Sequence, residues 1–504
     1  MSTVSRLSRN SFFLYTRMIV LMGLTLYTSR IVLNALGIED FGIYSLVGSV
    51  SSMFLSLRTV FSEAIQRFLN FEKGKGDAEA EKDVFSIGVI LHVIVAVVFT
   101  ILISIIGTIY LKNSAVIPAE RMNAVWIVFM SSIFSSLFFI LIVPYDAVVI
   151  ANEKMNVYAW VSIIDGLFRL IGALLLSHIP YDSLILYAVI IAVIPMLNYI
   201  FYYYYCSRFP ECRFRFVCSK EKYKSIFSFA GWSFTGNLAY TLTHEGLNLI
   251  LNSFGGVTVN AARNIAYQVR SAVNQISNNT ILATKPYIVQ SSVSQPDESL
   301  WDKTNLLSRL SFYVMVITSL PIIVYCDFLL DIWLVRVPEN AVLFTQLIVL
   351  STVFRSLHGP LNLFYMAKGY IKRMVIAESI ILLILLPMSF IALSIGYSVN
   401  IVFSFLCLWE VIIVLILSIN ASKEFNVSFK IYLKDVVLPS LLSVFTAAFV
   451  GYIYVNNFLV NSFVSLLFAT VSMILLLGVL FYFLLFKSSD KLIVKGFINS
   501  IFHR

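Results

Sequence analysis

Charge is scarce in this chain. Asp, Glu, Lys and Arg make up 12% of its 504 residues, against 59% hydrophobic ones. Soluble domains carry roughly 25% charged residues, so this composition excludes a water-soluble protein and places the chain in lipid. Cysteine is rarer still, with five residues. Cys206, Cys212 and Cys218 cluster in sequence without the CxxC spacing of a zinc or redox motif, and in a reducing inner loop they read as inert. Catalytic signatures are missing as well. His244-Glu245-Gly246-Leu247-Asn248 opens like a zinc-protease helix, but Asn248 stands where the second metal-binding His is required. Gly74-Lys75-Gly76 is a lone polar turn without the strand and helix of a nucleotide site, and no Walker A loop is present. An enzyme, a cofactor, a bound metal and direct use of ATP are therefore not expected. Outer loops of at most about a dozen residues leave no external domain for chemistry outside the bilayer.

What the chain does hold is a series of about fourteen apolar segments: 11–35, 40–70, 84–111, 122–150, 156–177, 182–206, 223–253, 260–289, 304–330, 339–367, 373–396, 398–420, 433–456 and 459–486. Each is roughly 20–30 residues long, enough for a tilted helix to cross ~30 Å of hydrocarbon. The predicted class is therefore all-α and polytopic. The first segment is too long, and too polar at Arg17, for a removable signal peptide, so it reads as helix one.

Lys and Arg fall into every second loop. With the N-terminus inside, the inner loops collect Lys73, Lys75, Lys154, Arg213, Arg215, Lys222, Lys368, Arg373, Lys430 and Lys487 among others, while the outer loops hold only Lys112, Arg121 and Arg336. The positive-inside rule then predicts a bacterial inner-membrane protein with both termini in the cytoplasm. A net charge of +9 would suggest nucleic acid in a soluble protein. Here the cations lie beside anionic membrane lipids, and no nucleic-acid partner is expected.

The chain also repeats itself. Leu33-Asn34-Ala35-Leu36-Gly37 matches Leu251-Asn252-Ser253-Phe254-Gly255, and nearly the same offset relates Pro144 to Pro360 and Ala151-Asn152-Glu153-Lys154 to Ala367-Lys368-Gly369-Tyr370. Helices one to six then correspond to seven to twelve, an arrangement of transporters built around a cavity. The predicted divisions are 1–206 for the first six helices, 207–224 for a basic cytoplasmic linker that reads as a hinge, 225–420 for the next six, and 421–504 for helices thirteen and fourteen with a cytoplasmic tail. The last two helices have few polar residues and read as a peripheral pair facing lipid.

Charges inside the spans carry the functional signal, because one at the bilayer centre costs ~2.5–3.5 kcal/mol on insertion scales. They include Arg17, Arg30, Arg58, Glu63, Arg67, Asp165, Arg169, Glu245, Arg263, Arg270, Lys285, Arg355, His358, Glu378 and Glu410. Helix two sets Ser52, Ser56, Thr59, Glu63, Gln66 and Asn70 on one face. Helix eight sets Asn264, Gln268, Ser271, Gln275, Asn278 and Lys285 on another, with Arg263, Arg270 and Asn274 at its margin. Hydrogen bonding between packed helices accounts for the Ser and Asn residues, whereas the arginines argue for a water-filled cavity. Its cations outnumber its carboxylates, which suits an anionic, phosphate-linked substrate held by Arg58, Arg67, Arg263, Gln268, Arg270, Asn274 and Lys285.

Asp165, Glu245, Glu378 and Glu410 are the candidates for proton or sodium coupling. Asp165 and Arg169 stand four apart and can instead neutralise each other. Glu378 has no cation at i±4 in its own helix. Arg17, Arg30 and Lys285 fall near helix ends, where snorkelling is the alternative. The run Phe201-Tyr202-Tyr203-Tyr204-Tyr205 reads as an interfacial belt.

Several stretches together resemble bacterial polysaccharide-transport flippases of the Wzx type. They are Tyr27-Thr28-Ser29-Arg30-Ile31-Val32-Leu33-Asn34-Ala35-Leu36-Gly37-Ile38-Glu39-Asp40-Phe41-Gly42-Ile43-Tyr44, Gln66-Arg67-Phe68-Leu69, Pro144-Tyr145-Asp146-Ala147, Ala151-Asn152-Glu153-Lys154-Met155 and Asn260-Ala261-Ala262-Arg263-Asn264-Ile265-Ala266-Tyr267-Gln268-Val269. The resemblance implies a MATE-like fold of two six-helix lobes with two extra C-terminal helices. It also implies an ion-coupled flippase that moves a lipid-linked oligosaccharide repeat unit outward for O-antigen (lipopolysaccharide), capsule or similar polymers, with the polysaccharide polymerase machinery as a further partner. Where that family often has Glu in helix five, this chain has Asp165. The rivals are a cation-coupled multidrug exporter, whose cationic cargo the arginines would repel, and a membrane-embedded polysaccharide polymerase, which would need a larger outer loop.

Overall fold

The structure, a computed structural model, describes residues 3–491 apart from 153, 218, 295, 369, 459 and 489, and it describes no side chain at 3–16, 18–19, 50–61, 63–64, 74, 225–237, 279–280, 282–287, 289–294 and 371. Its helices are α1 Thr3–Lys75, α2 Ala78–Asn113, α3 Met122–Leu141, α4 Val143–Ala151, α5 Met155–Leu175, α6 Ser183–Cys206, α7 Lys220–Ser294, α8 Asp297–Val324, α9 Cys326–Trp333, α10 Ala341–Arg355, α11 His358–Ala367, α12 Ile371–Ser394, α13 Asn400–Phe425, α14 Phe429–Tyr432, α15 Leu438–Asn457 and α16 Phe463–Leu484. No strand occurs among the described residues. Eleven stretches among them are long and apolar enough to cross a membrane, so the chain is a polytopic all-α membrane protein.

Local chemistry sets the boundaries. Asp77 caps α2 by accepting from the Ala80 N–H at 2.9 Å. Asp182 caps α6 by accepting from Leu184 and Ile185 at 3.0 and 3.2 Å. Each bond satisfies an N–H that the first helical turn leaves without a partner.

The repeat seen in the sequence reappears in the helix pattern. Predicted helices one and two run together as α1, interrupted at Gly37 with φ 77° and ψ 175°. Helices seven and eight run together as α7, interrupted at Gly256 with φ 69° and ψ −172°. This corner of backbone space is open essentially to glycine alone. The motif alignment pairs Gly37 with Gly255, whereas the break falls one residue later. The next elements repeat too: α3, α4 and α5 are matched by α10, α11 and α12, with Pro144 and Pro360 in the opening turns of α4 and α11, where a missing N–H costs little.

By packing, the chain divides into two compact units, Met1–Asn264 with Leu334–Pro338, and Ile265–Trp333 with Glu339–Arg504. The first extends past 207–224, because that stretch is fastened to α2. The Arg215 backbone N–H donates to Ser86 Oγ at 3.0 Å and its Nε to Asp83 at 2.6 Å. Its guanidinium also meets Glu79, and Lys222 reaches Asp83 at 2.8 Å. In this unit α1 packs against α3 and α5, and α3 against α6, over a core of Ile43, Val125, Phe129, Val143 and Leu184. Gly42 permits a close approach there, since a Cβ at that position would lie 1.9 Å from the Val257 carbonyl oxygen.

In the second unit α8 packs against α10, α11, α15 and α16, and α10 against α13. Phe344 and Phe403 stack with ring centroids 4.0 Å apart in its interior. Outward faces are apolar in both units. Ile101, Ile105 and Ile109 form an exposed stripe on α2, and Phe445, Phe449, Phe468 and Phe483 are exposed on α15 and α16. Such stripes are solvated by lipid, where helices satisfy their backbone groups internally. The last two long helices thus carry the lipid-facing surface expected of them.

Candidate functional site

The first unit encloses a cavity of about 540 Å³ walled by α1, α3, α5 and α6. On α5, Ser162, Asp165 and Arg169 recur at helical spacing and face it together. Asp165 is fully engaged: one carboxylate oxygen accepts from Arg169 Nε at 2.7 Å, the other from Asn198 Nδ2 of α6 at 2.7 Å. Both charged side chains keep 22–30% exposure toward the cavity. Arg17 of α1 lies over the Tyr158 ring at 4.7 Å, and its Nε is buried without a hydrogen-bond acceptor among the described residues. Ser131, Ser132 and Ser135 of α3 and Tyr202 of α6 add hydroxyls. Among the described residues the charged lining is thus two guanidiniums against one carboxylate. That wall can hold an anion and offers donors to a polyol.

A second charge cluster lies within the other unit. Arg355 Nη1, at the end of α10, contacts both oxygens of Glu410 on α13 at 3.2 and 3.3 Å. Its Nη2 lies 3.7 Å from Glu378 on α12, and His358 Nε2 of α11 lies 3.3 Å from the other Glu378 oxygen. Glu378, with no cation at i±4 in its own helix, therefore meets a guanidinium and an imidazole from other helices.

Of the remaining site residues expected from sequence, those that are described do not line the cavity. Arg263 is 5% exposed and its guanidinium donates to the His244 carbonyl at 2.7 Å. Arg270 is 3% exposed and stacks on Tyr267 at 5.2 Å. Glu245, Gln268 and Asn274 are half-buried on α7 and Arg67 is exposed on α1. The Arg58 and Lys285 side chains, like that of Glu63, lie outside the described residues. Within the aromatic run, Phe201, Tyr203 and Tyr204 are exposed as a belt requires, but Tyr202 is 2% exposed and turns to the cavity.

Arg121, to which the sequence assigned no role beyond an outer-loop cation, organises one end of the first unit. It forks onto Asp40 at 2.8 and 2.6 Å and reaches Asp182 at 2.6 Å. The Arg121 hydrogen bond holds the Asp182 carboxyl below its ordinary pKa.

A family model described as polysaccharide biosynthesis protein matches residues 7–292. The chain belongs to that family. The stretches that resemble Wzx-type flippases fall inside the match, and so does the whole cavity lining, whereas Arg355, His358, Glu378 and Glu410 lie beyond it. No curated protein matches the chain. Among solved structures, an inward-facing multidrug resistance MATE transporter is 14% identical with a TM-score of 0.69, covering 81% of this chain and 97% of its own. The lipid II flippase MurJ in an inward closed conformation is 14% identical with a TM-score of 0.67, over 94% and 98% of the two chains. A MOP superfamily transporter from Pyrococcus furiosus is 13% identical with a TM-score of 0.59, over 83% and 95%. The MATE-like fold read from the motifs is therefore the fold of this family member.

Sequence reasoning found Asp165 and Arg169 but missed Asn198, Tyr202 and the α3 serines. The signal available was a lone amide in α6 and Ser131-Ser132 with Ser135 at helical spacing in an otherwise apolar α3.

Proposed function

We propose that the protein is a flippase that moves a polyprenyl-pyrophosphate-linked oligosaccharide repeat unit from the cytoplasmic to the periplasmic leaflet by alternating access. The observation that carries this reading is the cavity of the first unit, where, among the described residues, Arg17 and Arg169 face Asp165 alone as charged lining and serine, threonine and tyrosine hydroxyls share the remaining wall with apolar side chains. Family membership supports a role in polysaccharide assembly. The fold shared with a lipid II flippase supports lipid-linked cargo. Guanidiniums suit the pyrophosphate, tyrosine and serine hydroxyls suit the sugars, and the polyprenyl tail stays in lipid. A potential negative inside favours outward movement of an anion by ~2.3 kcal/mol per charge per ~100 mV, and inward movement of a coupling cation adds to this.

In this reading the protein sits in the inner membrane with both termini cytoplasmic and is not an enzyme. The second reading is the cation-coupled drug exporter, supported by the fold shared with multidrug transporters. The excess of cavity cations disfavours it. Deletion of the gene separates the two. A flippase mutant accumulates undecaprenyl-linked repeat units on the cytoplasmic leaflet and loses surface polymer, while an exporter mutant keeps its polymer and gains drug sensitivity.

A further inference from the structure

The charge cluster of the second unit has an arithmetic that neither the family nor the fold assigns. Glu378 and Glu410 bring two negative charges, and Arg355, which touches both, brings one permanent positive charge. His358 stands 3.3 Å from Glu378 and is the remaining partner. With a neutral imidazole the cluster carries one net negative charge, and with an imidazolium it carries none. Glu410 and His358 are nearly inaccessible, at 3% and 7% exposure, so that difference is felt at low dielectric.

Lys285 of α7 has its side chain outside the described residues, and the other charges of the neighbouring helices have their own places. Of the helices packed against α11, α10 contributes Arg355, α12 Glu378 and α13 Glu410; α12 also carries Lys372 and Arg373 in its first turn and α13 Lys423 and Glu424 in its last, with Arg373 paired to Glu424. From α8, Arg309 is paired with Asp490 and Asp297 with Lys368, while Glu298, Asp302 and Lys303 share the first turns with Asp297. On α7, Ile281 abuts Gly359 and Arg270 stacks on Tyr267. Cys407, a turn before Glu410, gives its thiol to the Leu347 carbonyl at 3.1 Å.

We infer that this cluster is a binding site for a single proton, taken up and released at His358, and that Arg355 closes it to sodium. A sodium ion needs several carboxylate or carbonyl oxygens around it. Here a guanidinium already lies among the four carboxylate oxygens and repels a second cation. The imidazole is the one partner whose charge can change around neutral pH. The inference rests on the transport reading for its role in coupling, while the occupancy of the site by proton or sodium stands apart from it.

The test has two arms. Thermal unfolding of the purified full chain is measured in sodium and in potassium chloride at equal ionic strength. The wild type is expected to show the same Tm in both, and Arg355→Gln, which vacates the place between the carboxylates, to gain a higher Tm in sodium. Stabilisation of the wild type by sodium over potassium overturns the inference.

In the second arm, liposomes containing the protein and a fluorescent polyprenyl-pyrophosphate disaccharide are given a pH or a sodium gradient. One proton per cycle and a gradient of about one pH unit limit leaflet accumulation to about tenfold. The wild type is expected to respond to the pH gradient alone, and His358→Gln to lose that response. A sodium-driven wild type, or an undiminished pH response in His358→Gln, overturns the inference and leaves the flippase reading standing. A wild type that flips the probe under no condition overturns the flippase reading and the coupling role with it, whereas the first arm still decides which cation the site takes.

Discussion

Asn252 donates its side-chain amide to Asn260 Oδ1 at 2.9 Å across the break at Gly256. Asn260 in turn donates to the Asn248 carbonyl and side-chain oxygens at 2.9 and 2.8 Å. Asn252 Oδ1 also accepts from the Val116 N–H at 3.0 Å and from the Tyr110 hydroxyl at 3.1 Å. Asn252→Ala removes the donor to the buried Asn260 Oδ1 and the acceptor of the Val116 N–H, while the Tyr110 hydroxyl keeps the Leu249 carbonyl at 3.0 Å, and the expected loss is about 1–3 kcal/mol. Asn34, its counterpart in the repeated motif, is exposed, and Asn34→Ala is expected to change stability by less than about 0.5 kcal/mol. Thermal unfolding in detergent checks the contrast; equal effects would mean the asparagine network does not staple the break.

Asp165→Ala leaves Arg169 opposite Asn198 with no counter-charge. Because the pair faces a wet cavity, the cost should fall below the ~3–5 kcal/mol of breaking a fully buried ion pair. Asp165→Asn combined with Arg169→Gln removes both charges and is expected to be more stable than either single variant. A double-mutant cycle on Tm reads the coupling, and additive losses would show that the two side chains do not act as a pair.

Gly42→Ala would drive a Cβ into the Val257 carbonyl oxygen, a backbone atom that cannot swing aside as a side-chain tip can. Overpacking of this kind costs about 1–3 kcal/mol or more, and the yield of folded protein should fall. Gly23, with nothing within 4 Å of its added Cβ, provides the contrast, since Ala in mid-helix is favoured by roughly 0.5–1 kcal/mol. A wild-type Tm in Gly42→Ala would refute the close approach.

The spans, the repeat and the family were legible because hydropathy and backbone punctuation are local properties. Runs such as 84–111 need only their own residues to declare a lipid-crossing helix, and Gly37 declares its break by residue type. Contacts between helices left no such mark. Spacing showed Asp165 and Arg169 on one face, yet nothing in a single helix indicates that Asn198 meets the same carboxylate or that Arg355 and His358 converge on Glu378. A face is also not an environment. Arg263 belongs to the polar face of its helix, but the structure turns it to the His244 carbonyl, since a buried guanidinium is satisfied by whichever oxygen lies near. Arg17, for which snorkelling at a helix end was the alternative, is part of the cavity wall.

Orientation is open to a direct check. The charge alternation predicts that 207–224 lies in the cytoplasm. With the native cysteines replaced, a cysteine at Ser219 is expected to resist an impermeant thiol reagent in intact cells and to react after the membrane is opened. Labelling in intact cells would invert the topology and the direction of transport.

The most direct measurement of the central claim is leaflet transfer by the purified protein. In liposomes carrying a polyprenyl-pyrophosphate oligosaccharide, the wild type is expected to make the sugar accessible on the opposite face. Arg17→Ala and Arg169→Ala should each slow that transfer, and Arg17→Lys should recover it only in part, because a point charge replaces a fork of donors. Transfer at the wild-type rate in both Ala variants, or no transfer above protein-free liposomes in the wild type, would contradict the account.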